Sequence, residues 1–241
     1  MPQLAGQTGR ETAASPIYTD GTYLSKNCTW HAEDSPWKAG KVQAMLAKHQ
    51  IRPTRVCEVG CGAGEILRQL STAMPETEFH GYEVSPQAFE LCKSRESGNV
   101  RYHLKDFLEE DSFFDCLLCI DVFEHVEDYM GLIRSLKPRS TYKVFHIPLD
   151  VSVLALFTGS MMDMRASVGH LHYFTRESAL ATLTDCGYEI VDSAYTSGFL
   201  DLPSRTLKGK LAKPVFRVLF SIAPHSAVQI LGLSSLLVLA R

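Results

Sequence analysis

The chain has 241 residues, 45% of them apolar, a formal net charge of -3 and a pI near 6.3. That is enough apolar material for one full-sized core, and it excludes wholesale disorder, a collagen repeat and a disulfide scaffold. The acidic balance, with no long Lys/Arg run, argues against a surface built to track nucleic-acid phosphates.

Met1 to Ser15 is polar and small and has no apolar stretch, so no secretory signal is expected. The seven cysteines are scattered and odd in number, which suits free thiols in a reducing, cytoplasmic setting. Residues 1 to about 40 read as irregular but are rich in rings: Tyr18, Tyr23, Trp30, His31 and Trp37. Trp37 to His49 then has helical spacing, with Val42, Met45 and Leu46 on one side.

From Arg55 strands and helices alternate. Arg55 to Val59 is a short apolar strand that runs into Gly60. Glu65 to Met74 is a helix stopped near Pro75, and Glu78 to Val84 is the next strand. Ser85 caps a helix with Pro86 at its first position, and that helix ends near Gly98. Val100 to Leu104 and Phe113 to Ile120 are strands three and four, Glu127 to Leu136 is a helix, and Tyr142 to Ile147 is strand five. Cys116 and Cys119 have a metal-like spacing, but residues three apart on a strand point to opposite faces, so they read as core. Val151 to Val168 is a Met-rich helical insertion. Thr175 caps a helix, Arg176 to Cys186, which stops at Gly187. Tyr188 to Tyr195 and Ser234 to Ala240 are the last strands.

The pattern predicts an α/β fold: a Rossmann-like, doubly wound, seven-stranded, mostly parallel sheet with an antiparallel edge strand and helices on both faces. Residues 1–50 form an N-terminal lid segment and residues 51–241 the main domain, with an insertion at about 150–172. The apolar stretch Ala212 to Ala240 is interrupted by Arg217, Pro224, His225 and Gln229, so it reads as a buried helix plus the last strand. It is not a membrane span, and membrane-surface contact is not favoured.

The sharpest signal is Glu58-Val-Gly60-Cys-Gly62-Ala-Gly64-Glu65, between a strand and a helix. Glycines let the backbone turn sharply and approach a ligand, and the helix N-terminus adds free N–H groups. A dinucleotide motif would be Gly-x-Gly-x-x-Gly; here the third glycine comes one residue early and Glu65 stands in its place, which suits a pyrophosphate poorly. The loop resembles that of class I S-adenosylmethionine (SAM)-dependent methyltransferases, and four further pieces match in order. Glu83, in Gly81-Tyr-Glu-Val-Ser85, stands where the family places the acid that binds the ribose hydroxyls. Asp106, in Leu104-Lys-Asp-Phe107, stands where an acid meets the adenine amino group. Ile120-Asp-Val-Phe-Glu-His-Val126 resembles the motif after strand four, and Gly169-His-Leu-His-Tyr-Phe-Thr175 resembles small-molecule members.

The resemblance implies SAM as cofactor, S-adenosylhomocysteine as product, and a small-molecule acceptor methylated at oxygen or nitrogen. It implies cofactor contacts from Glu58, Gly60, Cys61, Gly62, Gly64, Glu83, Val84, Asp106, Phe107, Ile120 and Asp121. Tyr18, Tyr23, His31 and Trp37 are expected as a lid over the sulfonium. Candidate bases are His125, His146 and the pair His170 and His172, which share a face if that segment is extended. No metal is expected. The alternative is a metal-assisted O-methyltransferase of the quinone-pathway type, with Asp121, Glu124 and His125 on one side of a helical turn. A non-catalytic SAM-binding partner protein is the reading from another class. Nucleic acid is not expected as a partner, and the chain is expected to be a monomer or homodimer.

Overall fold

A computed structural model describes residues 18, 20–204 and 206–241. Seven strands build one sheet: β1 (Arg55–Val59), β2 (Glu78–Glu83), β3 (Val100–Leu104), β4 (Phe114–Ile120), β5 (Ser140–Pro148), β6 (Ile190–Thr196) and β7 (Ser235–Ala240). Their spatial order is β3-β2-β1-β4-β5-β7-β6. Strands β1 to β5 are parallel, and β7 runs antiparallel between β5 and β6, one place in from the edge. The order reverses between β1 and β4, and the crevice at such a reversal is where open α/β sheets bind ligands.

Alternation along β4 sets the two cores. Cys116, Leu118 and Ile120 join Val56, Leu67 and Phe79 on one face, while Leu117 and Cys119 join Ile133, Phe145 and Leu183 on the other. Cys116 and Cys119 therefore lie on opposite faces, as the strand period requires.

The helices in chain order are α1 (Thr22–Lys26), α2 (Ser35–Lys48), α3 (Glu65–Ala73), α4 (Pro86–Lys93), α5 (Tyr129–Leu136), α6 (Val153–Thr158), α7 (Ser160–Ser167), α8 (Arg176–Asp185), α9 (Gly198–Asp201), α10 (Leu207–Ile222) and α11 (Pro224–Leu231). Ala39, Val42, Met45 and Leu46 of α2 are buried in the same cluster as Val56, so α2 is part of the sheet's cover. Ser85 caps α4 by accepting from Ala88 N at 3.3 Å. Thr175 and Ser178 form a reciprocal capping box on α8. The insertion is the helix pair α6 and α7.

One expectation is corrected. The apolar stretch before β7 is two helices rather than one buried one. Among the described residues of α10 only Phe216 is buried, while Leu211, Val215, Val218 and Ile222 are exposed. Apolar residues surround much of this helix, but protein meets it on one side alone, through the small cluster of Leu200, Phe216 and Ala227.

Glu65, the first residue of α3, straps that helix to the end of α4. Its carboxylate accepts from Arg68 Nε at 2.9 Å, Gln69 Nε2 at 2.7 Å and Arg95 Nε at 2.8 Å. Burial alone would raise its pKa, but these donors outweigh it and hold the group down from 4.5 to about 2. A carboxylate with a depressed folded pKa stabilises above its unfolded value and loses that contribution as pH falls through the folded one. Urea unfolding should therefore lose up to about 3 kcal/mol from this group between about pH 4.5 and about pH 2. Glu65→Gln should remove most of that pH dependence; an unchanged acid slope in the variant would contradict it.

Candidate active site

The loop after β1 is held by two backbone anchors. Gly60 N and Cys61 N both donate to Tyr82 O, at 2.9 and 3.1 Å, which ties the loop to β2. Gly60 and Gly62 sit at φ +66° and +55°, and a Cβ on either would lie 2.8 Å from Val122 Cγ2 or Trp30 Cδ1. Conformation and space therefore both demand glycine at these two positions.

Glu83 closes the loop from the end of β2. Its Oε2 accepts from Gly62 N at 2.8 Å, and Oε1 accepts from Val84 N at 2.9 Å and Ser85 N at 2.8 Å. Both acceptor sites of Oε1 are thus used, and one remains on Oε2. Burial raises the Glu83 pKa, and the three N–H groups act against that rise.

Above this loop lies a cavity of about 860 Å³, within the range of small-ligand sites. Its wall includes Gly60, Gly62, Glu83 and Val84 on one side and His125, Asp150 and His170 on another. Rings from the N-terminal segment complete it. Tyr18 lies 4.9 Å from Tyr23, and Tyr23 lies 4.7 Å from Trp30. Ser85 Oγ donates to Tyr18 O at 2.6 Å, which pins this ring cluster to the same turn that holds Glu83.

Several buried polar atoms have no hydrogen-bond partner in the protein: His31 Nε2 and Glu58 Oε2 in this wall, and both carboxyl oxygens of Glu124 behind it, next to His125. An orphaned buried acceptor costs about 1–3 kcal/mol, so such a set marks where a ligand's own polar groups would be received. Burial pushes the Glu58 and Glu124 carboxyls well above the usual range.

Two charged relays flank the crevice. Asp121 sits at φ +53° just past β4, paired with Lys38 Nζ at 2.6 Å and His146 Nδ1 at 2.6 Å. Burial opposes its charge, but these two partners win and hold Asp121 far below the ordinary carboxylate range. Tyr18 donates its one hydroxyl proton to Val168 O at 2.9 Å, so its 2.7 Å contact with His125 is a bond from His125 Nδ1–H. His125 Nε2 then carries the lone pair, 3.8 Å from Glu124 Oε1. His170 Nδ1 bonds Asp150 Oδ2 at 2.5 Å, and its ring stands 4.9 Å from that of His125.

Of the residues expected from the sequence, Glu58, Gly60, Cys61, Gly62, Glu83, Val84, Ile120, Asp121, Tyr18, Tyr23, His31, Trp37, His125, His146 and His170 line the cavity. Gly64, Asp106, Phe107 and His172 do not. Gly64 lies beneath, bonded through its carbonyl to Tyr102 Oη. Asp106 caps a short turn by accepting from Leu108 N at 2.9 Å, and Phe107 is buried against Tyr82. His170 and His172 diverge because Leu171 N and His172 N both donate to Glu124 O, which turns the segment out of an extended path. His172 packs on Tyr129 instead, with Nε2 at Val126 O. Sequence reasoning missed Lys38 and Asp150. Asp150 had a signal, a carboxylate two residues past the end of β5; Lys38 had none, being one polar position on an amphipathic helix.

The chelating side chains also regroup. Asp121 is taken up by Lys38 and His146, whereas ligand atoms of Glu124, His125 and His170 lie within 4.8 Å of one another.

A family model described as a methyltransferase domain matches residues 30–193, and the chain belongs to that family. A curated relative, the malonyl-[acyl-carrier protein] O-methyltransferase of Bacillus anthracis, is 26% identical over 85 residues, 34% of this chain; the chain spans about a third (32%) of that relative's length. Solved structures share the fold at low identity. The plantazolicin methyltransferase in complex with S-adenosylhomocysteine has a TM-score of 0.63 at 14% identity, over 95% of this chain and 94% of that one. Magnesium protoporphyrin IX methyltransferase from Synechocystis, with the same ligand bound, has 0.58 at 16%, over 85% and 81%. An N-methyltransferase from Bradyrhizobium japonicum, also so liganded, has 0.57 at 16%, over 92% and 98%. The class I, Rossmann-like methyltransferase fold is thereby shown.

Burial first, and the neighbouring His170 next, hold the His125 pKa down from 6.5 to about 4. His125 should therefore stay neutral through the physiological range, and its ring resonances should titrate only near pH 4 by NMR. A midpoint above about pH 6, close to the unperturbed value, would contradict the tautomer and environment described.

Proposed function

We propose that this chain binds SAM between the glycine loop and Glu83 and transfers its methyl group to an oxygen or nitrogen of a small-molecule acceptor. The observation that carries the reading is the joint placement of the Gly60 and Gly62 turn, the Glu83 carboxylate and the orphaned Glu58 oxygen around one cavity. The donor set suits the cofactor. Glu83 Oε2 keeps one acceptor site for a ribose hydroxyl, and the partnerless Glu58 Oε2 offers a buried hydrogen-bonding site for an amino group. Val84 and Ile120 supply apolar walls. Asp106 and Phe107 stay within this reading only as the floor behind the nucleoside end.

When bound, SAM supplies a methyl group on a sulfonium, an electrophile that needs no further activation. The chain's own residues position the acceptor, exclude water and take a proton. Tyr18, Tyr23, His31 and Trp37, together with Trp30, act as the lid, and their rings keep water from the reacting atoms. His170 donates Nδ1–H to Asp150, which leaves Nε2 as its basic atom on the cavity wall. As the acceptor's O–H or N–H gives way to an O–CH3 or N–CH3 bond, the proton passes to His170 Nε2, and Asp150 steadies the imidazolium. His125, neutral and tied to Tyr18, orients this pair. His172 acts only by packing beneath it.

A second reading rests on Glu124. Its two partnerless, buried oxygens beside His125 and His170 suit a divalent cation, which would orient a catechol-like acceptor.

Calorimetry with S-adenosylhomocysteine should show micromolar binding that Gly62→Val and Glu83→Ala each abolish, with no binding of NADH. Retained affinity in both variants would overturn the site. With an acceptor found by screening, His170→Gln and Asp150→Asn should lower kcat by about 10²–10⁴-fold and leave S-adenosylhomocysteine affinity unchanged. Full activity after treatment with a chelator sets aside the metal-assisted reading; loss restored by a divalent ion supports it.

A further inference from the structure

Helix α10 carries an apolar stripe that the domain leaves uncovered. Leu207, Leu211, Val215, Val218 and Ile222 recur at helical spacing and are each 57–76% exposed. The other side of the helix is anchored: Phe216 is buried against Phe199, and Phe220 packs on it. The helix is therefore fixed to the fold with a second apolar face turned outward. Scattered exposed apolar residues are ordinary, but a continuous stripe of five is a contact surface.

Charge says what kind of contact. Residues 202–241 contain six Lys and Arg and no Asp or Glu, in a chain whose net charge is -3. Lys210 and Arg217, both exposed, border the stripe. A helix with an apolar face, a basic border and no acidic residue is the signature of one that lies in a lipid interface. At 16 residues α10 is too short to span a bilayer, and no described helix is long and apolar enough to do so. Docking of a second copy through this face would bring like-charged borders together, which disfavours it.

The neighbourhood extends the surface. Helix α11 packs on both α10 and α6, and α6 presents Leu156 and Phe157, the latter 87% exposed. Leu154 and Thr158 of α6 and Leu231 of α11 line the cavity, so this face adjoins the site.

We propose that α10, with α6 beside it, docks in the plane of an anionic lipid bilayer surface, the stripe entering the headgroup boundary and the basic border meeting lipid phosphates. The test is co-sedimentation of the full chain with vesicles of phosphatidylcholine containing phosphatidylglycerol, against pure phosphatidylcholine. Binding should be at least about tenfold stronger to the anionic vesicles and should weaken with salt. Leu211→Glu with Val218→Glu should abolish it. Lys210→Glu with Arg217→Glu should remove the preference for anionic lipid. Both pairs are exposed, and thermal melting should show them folded. The proposal is overturned if the native chain stays in solution with anionic vesicles, or if neither double variant changes binding. It is equally overturned if light scattering shows a dimer that Leu211→Glu with Val218→Glu dissolves while no lipid is bound, which would give the face to a second copy.

Discussion

The Glu83 carboxylate gathers the N–H groups of Gly62, Val84 and Ser85 onto two oxygens at the end of β2. That bond set fixes the loop after β1 against β2 and orients the start of α4. Ser85, held there, donates in turn to the backbone of Tyr18. One buried acid thus couples the glycine loop, the neighbouring strand and the N-terminal rings, and the crevice exists because all three meet. The cost of keeping that carboxylate out of water is offset in part by the three hydrogen bonds, though burial still leaves its pKa raised.

The other side of the crevice is organised by charge. Lys38 reaches from α2 to Asp121 at the end of β4, and His146 reaches it from β5. The same pairing removes Asp121 from the chelating cluster and leaves Glu124, buried and unpartnered, facing His125 and His170. Helix α2 therefore contributes an apolar face to the sheet core and a lysine to the site wall, which joins the N-terminal segment to the domain more closely than a separate lid would be.

Most of the sheet was legible because strand and helix periods are local properties. β1 to β5 fell within a few residues of their positions, and the glycine spacing identified the loop. What was not legible depended on tertiary neighbours. The divergence of His170 and His172 follows from two N–H groups, of Leu171 and His172, converging on Glu124 O from a segment distant in sequence. Lys38 finds Asp121 only once α2 is docked. α10 looked like a core helix because apolar count measures a residue's preference for burial, whereas burial needs a partner surface, and here one side has none.

The most direct test of the central claim is a crystal structure of the chain with S-adenosylhomocysteine. The nucleoside end should lie over the glycine loop, with a ribose hydroxyl on Glu83 Oε2 and the amino group at Glu58. A ligand seated elsewhere, with Glu83 still bonded only to its three backbone partners, would contradict it.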